Sequence, residues 1–353
     1  MIAFREGSEN GGPYNSHKRI MESSLKDRYS FVPLIVPKGK MGLFNVKLLK
    51  NLIKQIEEIS PDAVQIIGLE LIGFYLSVAC KMAKVNNIIL AIHGSTTEAI
   101  DFNKNPFKRL IMEILEIYTL KTATVTYGVS KYVKTIKNVE KFSRNYYGEI
   151  YNMLIETNCE YNILESREEF SISNSQIVII STGRIIREKG YDVMTRIVKH
   201  YKDNDRVTFL IVGDGNYRFI MERELTDQIK QKQVKLLGYR SDIAYILSTG
   251  DIFVMPSYHE TLCMSLVEAG QSGMALIASN VGGMREVIDN GVTGYLVEPG
   301  NDRAFIQKID YLLDHEEQLE RMKLLAKKYV NIKFSNNEIV RRLSSMYESI
   351  LGE

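Results

Sequence analysis

Arg184 and Lys189 flank a glycine-bearing turn behind an apolar run, in the order Thr182-Gly183-Arg184 and then Glu188-Lys189-Gly190. A guanidinium grips two phosphate oxygens at once and an ammonium acts as a point charge, so the pair offers what a diphosphate needs. Further on, Pro256-Ser257-Tyr258-His259-Glu260 leads through Leu262, Cys263 and Met264 to Glu268-Ala269. Glu260 and Glu268 stand with seven residues between them. A helix starting near Leu262 to Met264 would present unpaired backbone N–H groups, a ready anion site. Glu268, inside that helix, could accept two hydrogen bonds from a vicinal diol such as a ribose, and Glu260 could take hydroxyls of a sugar. Singly, each of these groups is what an ordinary loop or helix carries. Their succession along one stretch, residues 181–300, is the signal.

Such residues converge only if strands deliver them to one edge. Residues 177–181 (IVIIS), 207–212 (VTFLIV), 234–237, 252–255 and 275–278 are apolar runs of strand length. Helical patterns separate them at 191–201, 219–230, 242–248 and 262–272, with another at 302–313. The first half repeats the theme, with strands at 31–36 (FVPLIV), 63–67, 88–92 and 123–129 and helices at 48–59, 69–85 and 107–120. This alternation predicts parallel sheets covered on both faces. The expected fold class is α/β, with two Rossmann-like parallel-sheet domains facing a cleft and ligands beyond the carboxyl ends of the strands. The expected domains are residues 1–160 and 170–335, with the polar stretch 156–175 as an irregular linker. The amphipathic segment 336–353 is expected to pack back on the first domain.

The 353 residues suit two domains, and 45% hydrophobic with 25% charged residues is a globular composition. Cys80, Cys159 and Cys263 are scattered and form no CxxC pair, which argues against a disulfide framework or a zinc site and points to the cytosol. No apolar leader core follows Met1, and residues 71–80 are too short to span a bilayer. Residues 1–155 carry 21 Lys+Arg against 14 Asp+Glu, and the remainder 24 against 29. A basic first half suits an anionic membrane surface or a phosphate-bearing acceptor, although uneven solvated faces give the same count.

The succession of Gly183-Arg184, Lys189-Gly190, Gly213-Asp214-Gly215, Gly238-Tyr239, Asp251, Glu260, Glu268-Ala269, Gly282-Gly283, Glu286 and Pro299-Gly300 resembles the retaining glycosyltransferases of GT-B fold in family 4. The likeness covers about 120 residues in order. It implies transfer of a hexosyl unit from a nucleoside diphosphate sugar, UDP-sugars foremost, to a hydroxyl of a glycan or lipid-linked acceptor. Synthesis of bacterial surface polysaccharide or glycoconjugate is the implied setting, without a metal or other cofactor. The resemblance also implies that Arg184 and Lys189 bind the diphosphate, Glu268 the ribose and Glu260 the donor sugar. Gly183, Gly213 and the amides at Leu262, Cys263 and Met264 would line the donor, and Gly238, Tyr239 and Arg240 would border the base. A nucleotide-sugar epimerase on the same architecture and an inactive binding subunit are the rival readings.

In the first half, Gly11-Gly12 before a helix looks like the family's first-loop glycines, which admit the backbone close to the ligand. His93, at the carboxyl end of a strand, sits where the family carries an active-site histidine near the donor sugar. Thr261-Leu262-Cys263 replaces the usual Gly-Phe-Gly, and Met153 follows Asn152 where a glycine is usual. Asp203-Asn204-Asp205 has a metal-binding DxD pattern but falls between a helix and a strand start, as a solvated turn would. Gly213-Asp214-Gly215 is followed by Arg218 rather than by a third glycine, so it is a poor dinucleotide fingerprint. Cys263 near His259 fits a small packing residue better than a nucleophile. Residues 107–120 open on Phe107-Lys108-Arg109 and carry Leu110, Ile111, Ile114, Leu115, Ile117 and Tyr118, so apolar residues nearly surround the helix, as in a core helix. The alternative is peripheral contact with the inner face of the cell membrane.

Overall fold

The computed structural model describes residues 1–6, 12–36, 42, 45–98, 105–155 and 161–352, so Gly11 and Cys159 lie outside the described residues. It divides into two compact units, one of Met1–Met153 with Ser335–Glu353 and the other of Leu154–Phe334.

The first unit is built on a parallel six-stranded sheet in the order β2-β1-β3-β4-β5-β6. Its strands are β1 (Ile2–Glu6), β2 (Phe31–Ile35), β3 (Ala63–Ile67), β4 (Asn87–Ile92), β5 (Val125–Gly128) and β6 (Tyr146–Glu149). The second unit has a parallel sheet in the order β12-β11-β10-β7-β8-β9. Here the strands are β7 (Ile177–Thr182), β8 (Val207–Val212), β9 (Val234–Gly238), β10 (Ile252–Met255), β11 (Ala275–Ser279) and β12 (Gly294–Val297). Every residue of β3 and β8 is buried, as expected of strands covered on both faces. Strand order reverses between β1 and β3 in one sheet and between β7 and β10 in the other. Loops leaving neighbouring strands in opposite directions open a crevice at such a point.

The helix Asn336–Leu351 turns Ile339, Leu343, Met346 and Tyr347 into the core of the first unit, against Ile2, Phe4 and Tyr29. A buried polar chain runs beside these contacts. The Tyr347 hydroxyl donates to Gln65 Oε1 at 2.8 Å, and Gln65 Nε2 donates to the Tyr127 hydroxyl at 2.8 Å and faces His17 Nε2 at 3.2 Å. Gln65 is fully buried in the middle of β3, so these partners offset the loss of water.

Three expectations change. The segment expected as an irregular linker contains a helix, Ile163–Glu169, capped by the Asn162 side chain. Arg167 of that helix is buried and pairs with Asp251 Oδ2 at 2.7 Å, and Asp251 also accepts the Val178 N–H at 2.8 Å. This tie fastens the helix to the second unit, which spans Leu154–Phe334. The helix expected at 219–230 is two, Arg218–Glu224 and Thr226–Lys230, with Leu225 buried at the break. The helix Pro106–Thr122 is only partly a core helix. Glu116, Thr119, Leu120 and Thr122 are buried, whereas Phe107, Leu110, Ile114 and Tyr118 are exposed along one face. Apolar residues nearly all round a helix do not tell which of them meet the core. Among the described residues no helix is long and apolar enough to cross a membrane.

Candidate active site

β7 and β10 are neighbours at the switch in strand order, and their following loops meet. Gly190 makes that meeting possible. Its φ is 74°, and a Cβ there would lie 1.9 Å from the Pro256 carbonyl oxygen. The Tyr258 N–H donates to the Glu188 carbonyl at 2.9 Å and fastens the two loops. The result is an ion pair between residues 71 positions apart, with Lys189 Nζ 2.7 Å from Glu260 Oε1. Ser257 Oγ donates to the same oxygen at 3.2 Å. The two side chains are only 18% and 10% exposed, so deleting either leaves a poorly solvated charge.

The loops after β7, β8 and β9 lie side by side. The Gly183 N–H donates to the Val212 carbonyl at 2.9 Å and the Gly213 N–H to the Gly238 carbonyl at 2.8 Å. A Cβ on Gly213 would fall 1.8 Å from the Gly183 oxygen, so the two backbones touch where a side chain cannot fit. Arg184 projects from this row and is exposed. Tyr239 is 69% exposed, and Arg240 is held by Asp242, with Nε to Oδ1 at 2.8 Å.

Leu262 and Cys263 are buried, and Met264 begins the helix Met264–Gln271, whose start no side chain caps. Burial pushes the Cys263 thiol well up, the Glu260 and Glu268 charges add to this, and Lys189 opposes it. The thiol is therefore protonated at neutral pH, which suits packing and not attack. Glu268 also lines a cavity of about 610 Å³ with Ile155, Tyr161, Ile243 and Lys327. Asp203 and Asp205 lie in the turn between the helix Tyr191–His200 and β8, at the amino end of the sheet, away from all these groups.

Gly12 and His93 belong to the first unit. Gly12 opens the helix Gly12–Glu22 after β1. His93 follows β4, and burial pushes its imidazole down to about 4, so it is neutral at pH 7. The His17 ring stands edge-on to it with centroids 6.3 Å apart, and Phe4 packs on His17 at 4.9 Å. Asn152 is buried and accepts the Ser16 hydroxyl at 2.7 Å. The sequence reading missed His17 and its holder Gln65. The available signal was a lone amide inside the apolar run AVQII.

Residues 162–329 match the family model of glycosyl transferases group 1, and residues 15–130 match that of glycosyl transferase 4-like proteins. The capsular polysaccharide biosynthesis glycosyltransferase CapM of Staphylococcus aureus is 25% identical over 341 residues, covering 93% of this chain and 88% of that protein. A 2-deoxystreptamine N-acetyl-D-glucosaminyltransferase of Niallia circulans is 27% identical over 174 residues, 48% of this chain and 45% of that relative. This second match thus spans less than half of the relative's length. Among solved structures, Alr3699/HepE of Anabaena in complex with UDP and glucose aligns with a TM-score of 0.83 at 17% identity over 99% of both chains. At that identity the likeness is one of fold. The chain belongs to glycosyltransferase family 4, the group 1 glycosyl transferases of GT-B fold.

Proposed function

We propose that this protein moves a hexosyl unit, with retention, from a nucleoside diphosphate sugar to a hydroxyl of a glycan or lipid-linked acceptor in surface polysaccharide or glycoconjugate synthesis. UDP-sugars are the foremost donors. The observation that carries the reading is the Lys189–Glu260 pair at the switch point of the second sheet, beside an uncapped helix start. In the proposed complex Lys189 and Arg184 face the diphosphate, and the amides near Met264 share its growing charge as the sugar leaves. Glu260 takes hydroxyls of the sugar, and Glu268 takes the ribose. Tyr239 and Arg240 border the base, and Gly183 and Gly213 let the backbone come close. Gly12 lets the backbone approach the diphosphate and the acceptor, and His93 acts beside the donor sugar. The departing diphosphate assists deprotonation of the acceptor hydroxyl, and no metal is needed for the charge.

A melting screen of nucleotide sugars tests the donor, because a ligand at 100 times its Kd stabilises the native state by about 2.7 kcal/mol. Lys189→Ala is expected to lower kcat about 100-fold or more. Glu268→Ala is expected to weaken donor binding about tenfold or more, and unchanged affinity removes the ribose assignment. An absolute manganese requirement overturns the metal-free route, and inversion at the anomeric carbon overturns retention. Product from donor alone, epimerised and not transferred, favours the epimerase reading.

The exposed face of the helix Pro106–Thr122 supports membrane contact for the first unit. Phe107, Leu110, Ile114 and Tyr118 form its apolar stripe, with Lys108, Arg109 and Lys121 exposed alongside. Sedimentation with phosphatidylglycerol vesicles is expected to be salt-sensitive and to weaken on Leu110→Glu. Equal pelleting with neutral vesicles overturns the charge component.

A further inference from the structure

His93 stands in the loop that follows β4, which ends at Ile92. Gly94 turns it with φ at 152°, a value that disfavours a side chain, and Ser95 and Thr96 then fold down onto the helix Pro106–Thr122. There they meet Glu116, whose side chain is fully buried. Ser95 Oγ lies 2.9 Å from both carboxylate oxygens. The Thr96 N–H donates to Oε1 at 2.8 Å and the Thr96 hydroxyl at 2.6 Å. Asn138 Nδ2 donates to Oε2 at 3.2 Å from a neighbouring helix, Lys137–Phe142. A carboxylate offers acceptors only, and donors alone converge on it. A second tie holds the far side of the loop, where the Tyr132 hydroxyl donates to Glu98 Oε1 at 2.9 Å.

We infer that Glu116 is a positioning residue for the transfer reaction, setting the place of His93 through the backbone of Ser95 and Thr96. A buried carboxylate is tolerated only when its oxygens are satisfied, so carboxylate and loop fix each other. The His17 ring, 6.3 Å from the His93 ring, walls the other side. A group that acts on substrate must sit within about 0.5 Å of its working place, and it owes that to neighbours locked by packing and hydrogen bonds. The inference rests on the proposed role of His93 as an active-site residue beside the donor sugar.

The test is a double-mutant cycle on the full chain with Glu116→Gln, His93→Ala and the two combined. UDP release from UDP-glucose or UDP-N-acetylglucosamine is read beside the melting temperature. Glu116→Gln keeps the volume but turns one acceptor into a donor. It is expected to lower kcat about 10- to 100-fold, with donor KM changed less than about threefold. In the His93→Ala background it is expected to cost nothing further beyond about twofold. An equal fractional loss in both backgrounds overturns the inference alone, because Glu116 then acts without His93. Parent-like kcat in Glu116→Gln overturns it as well. Full activity of His93→Ala overturns the His93 reading itself, and the inference falls with it. Where Glu116→Gln fails to fold, Thr96→Val deletes one donor and spares the carboxylate. Its expected loss is about 3- to 10-fold in kcat, again only while His93 is present.

Discussion

His93 carries a consequence for pH. Its imidazole titrates near 6.5 in the unfolded chain and is pushed down to about 4 by burial in the fold. Between those values the unfolded chain holds the extra proton, so this residue makes stability rise with pH across that window and adds nothing above it. Urea midpoints at pH 4.5 and 7.5 are expected to differ more for the parent than for His93→Gln. Equal differences would show that the ring is not desolvated. Lys189 and Glu260 teach another lesson at this scale. Each type was legible from the sequence, since a cation and a carboxylate following strands are the currency of a phosphate and sugar site. Their contact was not, because it depends on Gly190 meeting the carbonyl of Pro256. Glu116 escaped the reading for a similar reason: Ser95 and Thr96 lie in a loop about 20 residues earlier, and Asn138 on a later helix, and a helical pattern reveals the path of neither.

Among elements, apolar runs flanked by helical patterns were enough to read most of both sheets. The strands that went unread were poor in that signal. β6 (YYGE) is half-buried throughout, and β12 (GYLV) is short and follows a glycine turn. The helix Glu316–Lys333 buries only Leu319, Met322, Ala326 and Val330 along a largely charged sequence. The helix Ile163–Glu169 went unread because its anchor is polar. Arg167 and Asp251 are 84 positions apart, and only the fold shows that both are buried. Lys323 Nζ also reaches Asp251, at 3.2 Å, from the helix Glu316–Lys333. Arg167→Ala leaves Asp251 short of one partner in a poorly solvated place. Its expected cost is about 3 kcal/mol, read as a lower urea midpoint with an unchanged m-value. A cost near zero would mean that Lys323 and the Val178 amide suffice.

For the whole molecule, the chain passes from one unit to the other twice, after Met153 and after Phe334. The second passage delivers Ile339, Leu343, Met346 and Tyr347 to a core begun by Ile2 and Phe4. A chain ending at Phe334 is expected to keep the cooperative melting of Leu154–Phe334. The other unit should lose its cooperative transition and bind a hydrophobic dye. A sharp two-step melt of the shortened chain would show that the last helix is dispensable.

That sewn-in helix also sets an order of events during synthesis. Domains on a growing chain ordinarily mature from the amino terminus onward, at about 5–20 residues per second. Here the unit made first cannot close its core, or satisfy Gln65 with the Tyr347 hydroxyl, until the last helix has left the ribosome. The unit made second has all its strands and helices in hand before then. The nascent protein therefore holds its first unit open, with apolar surface from β1 and β3 uncovered, while its second unit is already folded. Chaperone dependence in the cell should track that waiting interval and not the overall stability of the finished molecule.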